Sequence, residues 1–148
     1  MNNKPVIPKE EFAARRRRLL ERLGQDAIAV VPSGGLKVRN RDAEYPFRQD
    51  SDFHYLTGFN EPEAVAVFVP GREAGEYVLF CREKDEVAER WSGLRAGTEG
   101  VKHLHGADDA HPICDLDKLM PQLLIGRDQV HYDLSANADF HQRMLGWI

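Results

Sequence analysis

The sequence has few cysteines, no long apolar run and no excess of positive charge, and each shortage excludes a class of protein. Two cysteines, Cys81 and Cys114, are too few for a disulfide framework, so we expect reduced thiols and a cytoplasmic protein. The longest apolar run, residues 64–69, is far shorter than the roughly 18 residues that span a bilayer, and the first residues lack the apolar stretch of a signal peptide. Acidic residues outnumber basic ones by 24 to 20, which argues against a nucleic-acid-binding protein.

The composition that is present indicates an ordinary folded domain. Hydrophobic residues make up 42% of the 148-residue chain and charged residues 30%, so we treat residues 1–148 as one domain. The chain ends on the apolar sequence MLGWI, residues 144–148. Such an ending is expected of a chain that continues into a longer protein.

Helical and extended segments alternate along the chain without repeats, and glycines mark most helix ends. We predict helices over residues 8–24, 52–58, 84–91, 115–125 and 137–147, with Ser51 as the cap of the second and Pro121 kinking or shortening the fourth. We predict strands over residues 26–31, 63–69, 76–81 and 129–133, the second and third being antiparallel neighbours. Residues 94–112 are expected to form an irregular connection. The fold class is therefore α/β, with a mixed β-sheet flanked by helices.

Four consecutive arginines, residues 15–18, lie in the first predicted helix and could contact phosphate groups. Acidic residues stand at helical contact spacing, however, because Glu11 can pair with Arg15 and Glu21 with Arg17 or Arg18. We therefore predict that the run is a solvated helix face.

Several other candidates are expected to be structural. The sequence Ser33-Gly34-Gly35 lacks the spacing of phosphate-binding loops and predicts a turn, and Cys81 follows an apolar strand as a packing residue. Metal ligands are present in a loose set, His103, His105, His111 and Cys114, with Asp108 and Asp109 between them. The spacing of this set matches no structural zinc pattern, so we predict no metal site there.

Residues 45–62, YPFRQDSDFHYLTGFNEP, concentrate five aromatic side chains around polar ones. Buried polar groups need partners, and Arg48 can form an ion pair with Asp50 or Asp52, so we predict a folding motif. Trp91, at the end of a charged helix, is either at the edge of the core or an exposed contact residue of the kind that anchors interfaces. The sequence leaves both readings of Trp91 open.

The same motif resembles that of a known family. Residues 45–68, YPFRQDSDFHYLTGFNEPEAVAVF, are similar to the signature of the N-terminal domain of bacterial Xaa-Pro aminopeptidases, or aminopeptidase P. The order of the neighbouring segments also matches: an arginine-rich first helix, then AIAVVPS, LFCREKD and VAERWSG. The similarity is strongest over residues 44–95 and weakens after residue 97.

The resemblance implies a ribonuclease-H-like domain of the creatinase/prolidase type, without catalytic residues or metal ligands and inactive by itself. It implies a C-terminal catalytic domain with the pita-bread fold, in which two divalent metals, usually manganese, activate the water that cleaves proline-containing peptides before proline. It also implies a homo-oligomer, a dimer or tetramer, in which this domain shapes substrate access. Trp91 would then bind substrate in a neighbouring subunit's active site, with Arg95 as a weaker candidate.

Two alternatives remain beside this interpretation. The chain could be a stand-alone binding or oligomerisation module, or the N-terminal domain of a prolidase or creatinase, which share the fold. Continuation of the gene into metal-ligand motifs would separate a domain of an enzyme from a stand-alone module.

Overall fold

The computed structural model describes residues 6–34, 49–132 and 138–148, over which helices and strands alternate. The helices are α1 (Lys9–Leu23), α2 (Ser51–Thr57), α3 (Glu86–Ser92), α4 (Gly97–His105), α5 (Leu116–Leu123) and α6 (Ala138–Trp147). The strands are β1 (Ala27–Pro32), β2 (Val65–Phe68), β3 (Tyr77–Cys81), β4 (Asp109–Pro112) and β5 (Gln129–His131). Across these ranges, no helix combines the length and apolar character needed to cross a bilayer.

The strands form one mixed sheet in the order β4-β3-β2-β1-β5. The central pairs β1–β2 and β2–β3 are antiparallel, as the short loop between the second and third predicted strands requires. The outer strands β4 and β5 run parallel to their neighbours β3 and β1. The predicted α/β class with a mixed sheet is confirmed.

Both faces of the central strands are buried, because helices cover the sheet on each side. One face packs against α5 and α6 through Leu116, Met120, Phe140, Met144 and Trp147. The other packs against α1, α2 and α4, with Phe53, Phe59 and Val101 fully buried there. Helix α3 belongs to neither layer, since none of its residues is buried.

The structure corrects one local detail of the predicted helices and bears out another. Helix α2 is capped by Asp50 and not by Ser51, because the Asp50 carboxylate accepts the Phe53 N–H at 2.9 Å. Helix α5 contains Pro121 within its last turn and ends at Leu123, two residues before Ile125, which agrees with the shortening predicted at this proline.

The prediction that residues 94–112 form an irregular connection is wrong, because they contain α4 and the edge strand β4. Only Gly97 and Val101 are buried in α4, all of which the structure describes. The helix therefore lacks the repeated buried apolar positions that identify an amphipathic helix. Strand β4, DAHP, has one buried side chain, Ala110, and no alternation of apolar residues. Neighbouring secondary structure orders this segment, since β4 pairs with β3 and α4 covers the sheet.

Candidate functional site

The side chain of Gln49 forms a network of hydrogen bonds that fixes the backbone supporting the candidate site. The Gln49 Oε1 atom accepts the N–H groups of Gly34 at 2.8 Å and Asp50 at 2.9 Å. Its Nε2 atom donates to the carbonyls of Phe59 at 3.2 Å and Glu61 at 3.1 Å. One side chain therefore joins the end of β1, the start of α2 and the segment before β2. The predicted folding motif is confirmed over residues 49–62, whereas Arg48 and its predicted ion pair lie outside the described residues.

Helix α3 projects from the end of β3 and carries three exposed apolar side chains on it or directly after it. Trp91 is 89% exposed, Val87 66% and Leu94 87%. Val87 and Trp91 are one helical turn apart, so they share a face, and Leu94 follows the end of the helix at Gly93. We call these three residues the Trp91 surface. The alternative that Trp91 lies at the core edge is excluded.

Hydrogen bonds cap both ends of α3, the helix that carries the Trp91 surface. The Asp85 carboxylate accepts the N–H groups of Val87 and Ala88, both at 3.1 Å, and so caps the N-terminus of α3. Gly93 ends the helix with φ +96°, and its N–H donates to the Glu89 carbonyl. These contacts hold the helix together internally, but they do not hold it against the rest of the domain.

Arg95, the second predicted site residue, is half-buried in the segment that follows α3. Its backbone N–H donates to Glu89 Oε1 at 2.6 Å, and its Nη1 atom donates to the Glu83 carbonyl at 3.2 Å. The N–H of Arg95, together with Lys84 Nζ at 3.5 Å, holds the pKa of Glu89 below its ordinary value. An open groove of about 770 Å³ adjoins Leu94 and Arg95. Arg95 thus bonds to Glu89 within α3 and to Glu83 before it, and it also lines the groove beside Leu94.

The arginine run is only partly the solvated face that the sequence predicts. Arg17 and Arg18 are exposed, but Arg16 is buried, with its guanidinium 4.6 Å from the Tyr77 ring centre and Nη1 donating to the Leu56 carbonyl at 3.0 Å. Burial lowers the pKa of Arg16. The predicted pairing of Arg15 with Glu11 is confirmed at 3.1 Å.

The remaining predicted structural residues lie inside the fold. Ser33 Oγ accepts the Ala64 N–H at 2.9 Å and is buried, while Gly35 lies outside the described residues. Cys81 is buried, and this burial raises its pKa to about 12, so it packs as predicted. Both cysteines are free.

The loose set of candidate metal ligands is spread over two elements and the turn after them. His103 is exposed on α4, whereas His105 packs edge-on against Phe59 with ring centres 5.0 Å apart. His111 Nε2 lies 3.1 Å from Asp109 Oδ2 on β4, and Cys114 is exposed. In the ranges that the structure describes, no three histidine, cysteine or acidic side chains form a group able to hold a metal ion.

The half-buried His105 is expected to make the stability of the domain depend on pH. Burial lowers its pKa; Glu61 opposes this shift, and Lys9 and Arg16 add to it. Between this lowered pKa and the ordinary value of about 6.5, the unfolded chain binds a proton that the folded chain does not, so stability falls as pH falls through that window. We expect His105→Leu to lose less thermal stability than the wild type when the pH is lowered from about 7.5 to about 5.5.

The exposed His103 on the same helix supplies the control for this prediction. The His103→Leu variant should retain the acid sensitivity of the wild type, measured as the difference in Tm between the two pH values. Equal acid sensitivity in His105→Leu and the wild type would contradict the prediction.

Comparisons with known proteins identify the family of this fold. The family model described as "Aminopeptidase P, N-terminal domain" matches residues 12–132. The Xaa-Pro aminopeptidase of Escherichia coli is 39% identical over 127 residues, a match that covers 85% of this chain and 29% of that protein. The corresponding enzyme of Haemophilus influenzae is 36% identical over 118 residues, covering 80% of this chain and 27% of that protein.

Solved structures give the same result. An aminopeptidase structure from Pseudomonas aeruginosa superposes with a TM-score of 0.88 at 54% identity, covering 96% of this chain and 32% of that one. Proline aminopeptidase P II from Yersinia pestis superposes with a TM-score of 0.85 at 34% identity, covering 95% of this chain and 33% of that one. The chain therefore spans about a third of the length of the proteins it matches.

Proposed function

The chain belongs to the aminopeptidase P N-terminal domain family, and we therefore propose that it is the non-catalytic N-terminal domain of a Xaa-Pro aminopeptidase. The complete enzyme would remove the N-terminal residue that precedes proline in a peptide. Residues 1–148 would form one domain, and the C-terminal catalytic domain would supply the chemistry. The threefold greater length of the relatives supports this division.

We place the metal centre of the proposed enzyme outside this chain. Two divalent ions, which we expect to be manganese, would supply a metal-activated water for amide hydrolysis. The side chains that the structure describes do not fit such a centre, since no three potential ligands converge among them. We also place the protein in the cytoplasm, where its two free cysteines would stay reduced.

The role proposed for this domain is to support a homo-oligomer and to shape the entrance of a neighbouring subunit's active site. The observation that carries this role is the exposure of Trp91, which stands at 89% between Val87 and Leu94. A cluster of exposed apolar side chains is typical of a contact surface. An indole ring offers a large flat face and loses little conformational entropy on binding, so Trp91 is suited to contact a peptide substrate.

The test is kinetic and uses the complete enzyme. We expect Trp91→Ala to lower kcat/KM for long Xaa-Pro peptides about tenfold. An aromatic anchor that becomes buried in a complex contributes more than about 1 kcal/mol to binding. The thermal midpoint should stay unchanged, since the Trp91 side chain is 89% exposed and contributes little to the packing of the domain.

Ile125 supplies a matched control, because it is a 77% exposed apolar residue just after the end of α5, in a different part of the fold. The Ile125→Ala variant should keep the wild-type kcat/KM. An unchanged kcat/KM in Trp91→Ala would remove the proposed role of the Trp91 surface.

A further inference from the structure

Helix α3 is held to the domain by the two chain segments that flank it, and not by its own packing. We call these segments, residues 82–85 and 93–96, the two stems of the helix. None of its residues is buried, and none of its side chains is among those packed against the two hydrophobic core clusters. The chain leaves the sheet at Arg82, directly after β3, and returns at Ala96, directly before α4. The orientation of the Trp91 surface therefore depends on how these two stems are fixed.

One carboxylate contacts both stems. The Glu61 Oε1 atom accepts the Arg82 Nη2 group at 3.3 Å, and its Oε2 atom accepts the backbone N–H of Ala96 at 2.9 Å, across 35 residues of sequence. The Glu61 and Arg82 side chains are only 17% and 12% exposed, so water competes little for these bonds. Arg95 adds a second bridge between the stems through the Glu83 carbonyl.

We call the Glu61 carboxylate and its contacts with both stems the clamp. The backbone of Glu61 is in turn held by the hydrogen bonds of Gln49. The backbone carbonyl of Glu61 accepts the Gln49 Nε2 group at 3.1 Å, and β2 begins four residues later, at Val65. Glu61 thus links the buried sheet to a helix none of whose residues is buried.

We infer that Glu61 is a positioning residue for the Trp91 surface: its carboxylate clamps both stems of α3, so that Trp91 meets the peptide in a fixed orientation. The inference rests on the proposed function, because it concerns the same surface. A side chain that is already ordered loses no further freedom when it binds, whereas a mobile one does. Removal of the clamp should weaken peptide binding without changing the chemical step.

The experiment uses the complete enzyme and measures two quantities. In Glu61→Ala, we expect the amide of Ala96 to exchange with deuterium at least about tenfold faster, because its acceptor is lost. In the same variant, KM for a long Xaa-Pro peptide should rise about tenfold while kcat stays within about twofold. In Glu61→Gln, one carbonyl oxygen remains as an acceptor, so both changes should be smaller.

Asp109 offers a closely matched control. Its Oδ2 atom accepts Arg72 Nη2 at 3.0 Å, its Oδ1 atom accepts the Ala110 N–H at 3.0 Å, and its side chain is 23% exposed. It pairs with Val78 near the start of β3, at the opposite end of that strand from Arg82. The Asp109→Ala variant loses a comparable set of bonds, but it should retain the wild-type KM and the slow exchange of the Ala96 amide.

Each other outcome overturns a defined part of the inference. Unchanged exchange of the Ala96 amide in Glu61→Ala would overturn the clamp itself. Faster exchange with unchanged KM, in an enzyme whose kcat/KM does respond to Trp91→Ala, would overturn the positioning role and leave the proposed role of the Trp91 surface standing. If Trp91→Ala itself leaves kcat/KM unchanged, the proposed role of the Trp91 surface fails and the positioning role fails with it.

Discussion

Replacement of Gln49 by alanine is expected to lower the free energy of unfolding by about 3 kcal/mol, because one side chain supplies four hydrogen bonds, each with a net value of about 1 kcal/mol. Two of these bonds satisfy N–H groups and two satisfy carbonyls, in three separate segments of the chain. Water can replace some of the lost partners, so the expected loss is below the full sum. Denaturant unfolding would show the change as a lower midpoint with an unchanged m-value.

A second substitution at this position separates the two halves of the network. In Gln49→Glu, the carboxylate still accepts the N–H groups of Gly34 and Asp50, but it cannot donate to the carbonyls of Phe59 and Glu61. Its charge would also face those two carbonyl oxygens, so we expect a loss of stability comparable to that of Gln49→Ala. Full stability of Gln49→Glu would show that the two donated bonds contribute nothing.

Gln122 provides the control for both variants. It is an exposed glutamine near the end of α5, and the Gln122→Ala variant should stay within about 0.5 kcal/mol of the wild type. A similar loss in Gln122→Ala and Gln49→Ala would contradict the argument from the hydrogen bonds.

Local sequence signals account for the parts of the fold that could be predicted. Helix α1 begins after Pro8 and ends before Gly24, and both limits are visible in the sequence. The apolar run of residues 64–69 predicts β2 because a strand covered on both faces needs apolar side chains at every position. Helix α4 and strand β4 give no such signal, since each depends on neighbouring elements for its order.

The candidate site shows the same division between local and distant effects. The sequence indicates that Trp91 ends a charged helix, but whether the helix packs on the sheet depends on elements elsewhere in the chain. The role of Glu61 has no sequence signal of its own, because its partners lie 21 and 35 residues away. The buried state of Arg16 was missed for a similar reason, since the acceptor of its guanidinium is the Leu56 carbonyl, 40 residues away.

Substitution of Gly58 by alanine is expected to cost about 3 kcal/mol, from backbone strain and from a steric clash. Gly58 ends α2 with φ +65°, where an L-residue is strained by about 1 to 2 kcal/mol. A Cβ atom there would also lie 2.6 Å from Cε2 of Phe12, so the ring on α1 must move. The two helices touch at this glycine, and its change should therefore loosen their packing. Denaturant unfolding measures the loss.

Two further variants separate strain from clash. Gly126 has φ +78° and open space around the position of its Cβ, so Gly126→Ala should cost only the strain, about 1 kcal/mol. In a Phe12→Ala background the clash is absent, and Gly58→Ala should then cost about as much as Gly126→Ala. If the cost of Gly58→Ala were the same with and without the Phe12 ring, the contact between the two helices would not be what requires glycine at this position. The requirement for glycine would then come from the backbone conformation alone. The packing of α1 against α2 would tolerate a Cβ atom at position 58 as well as it tolerates the glycine hydrogen.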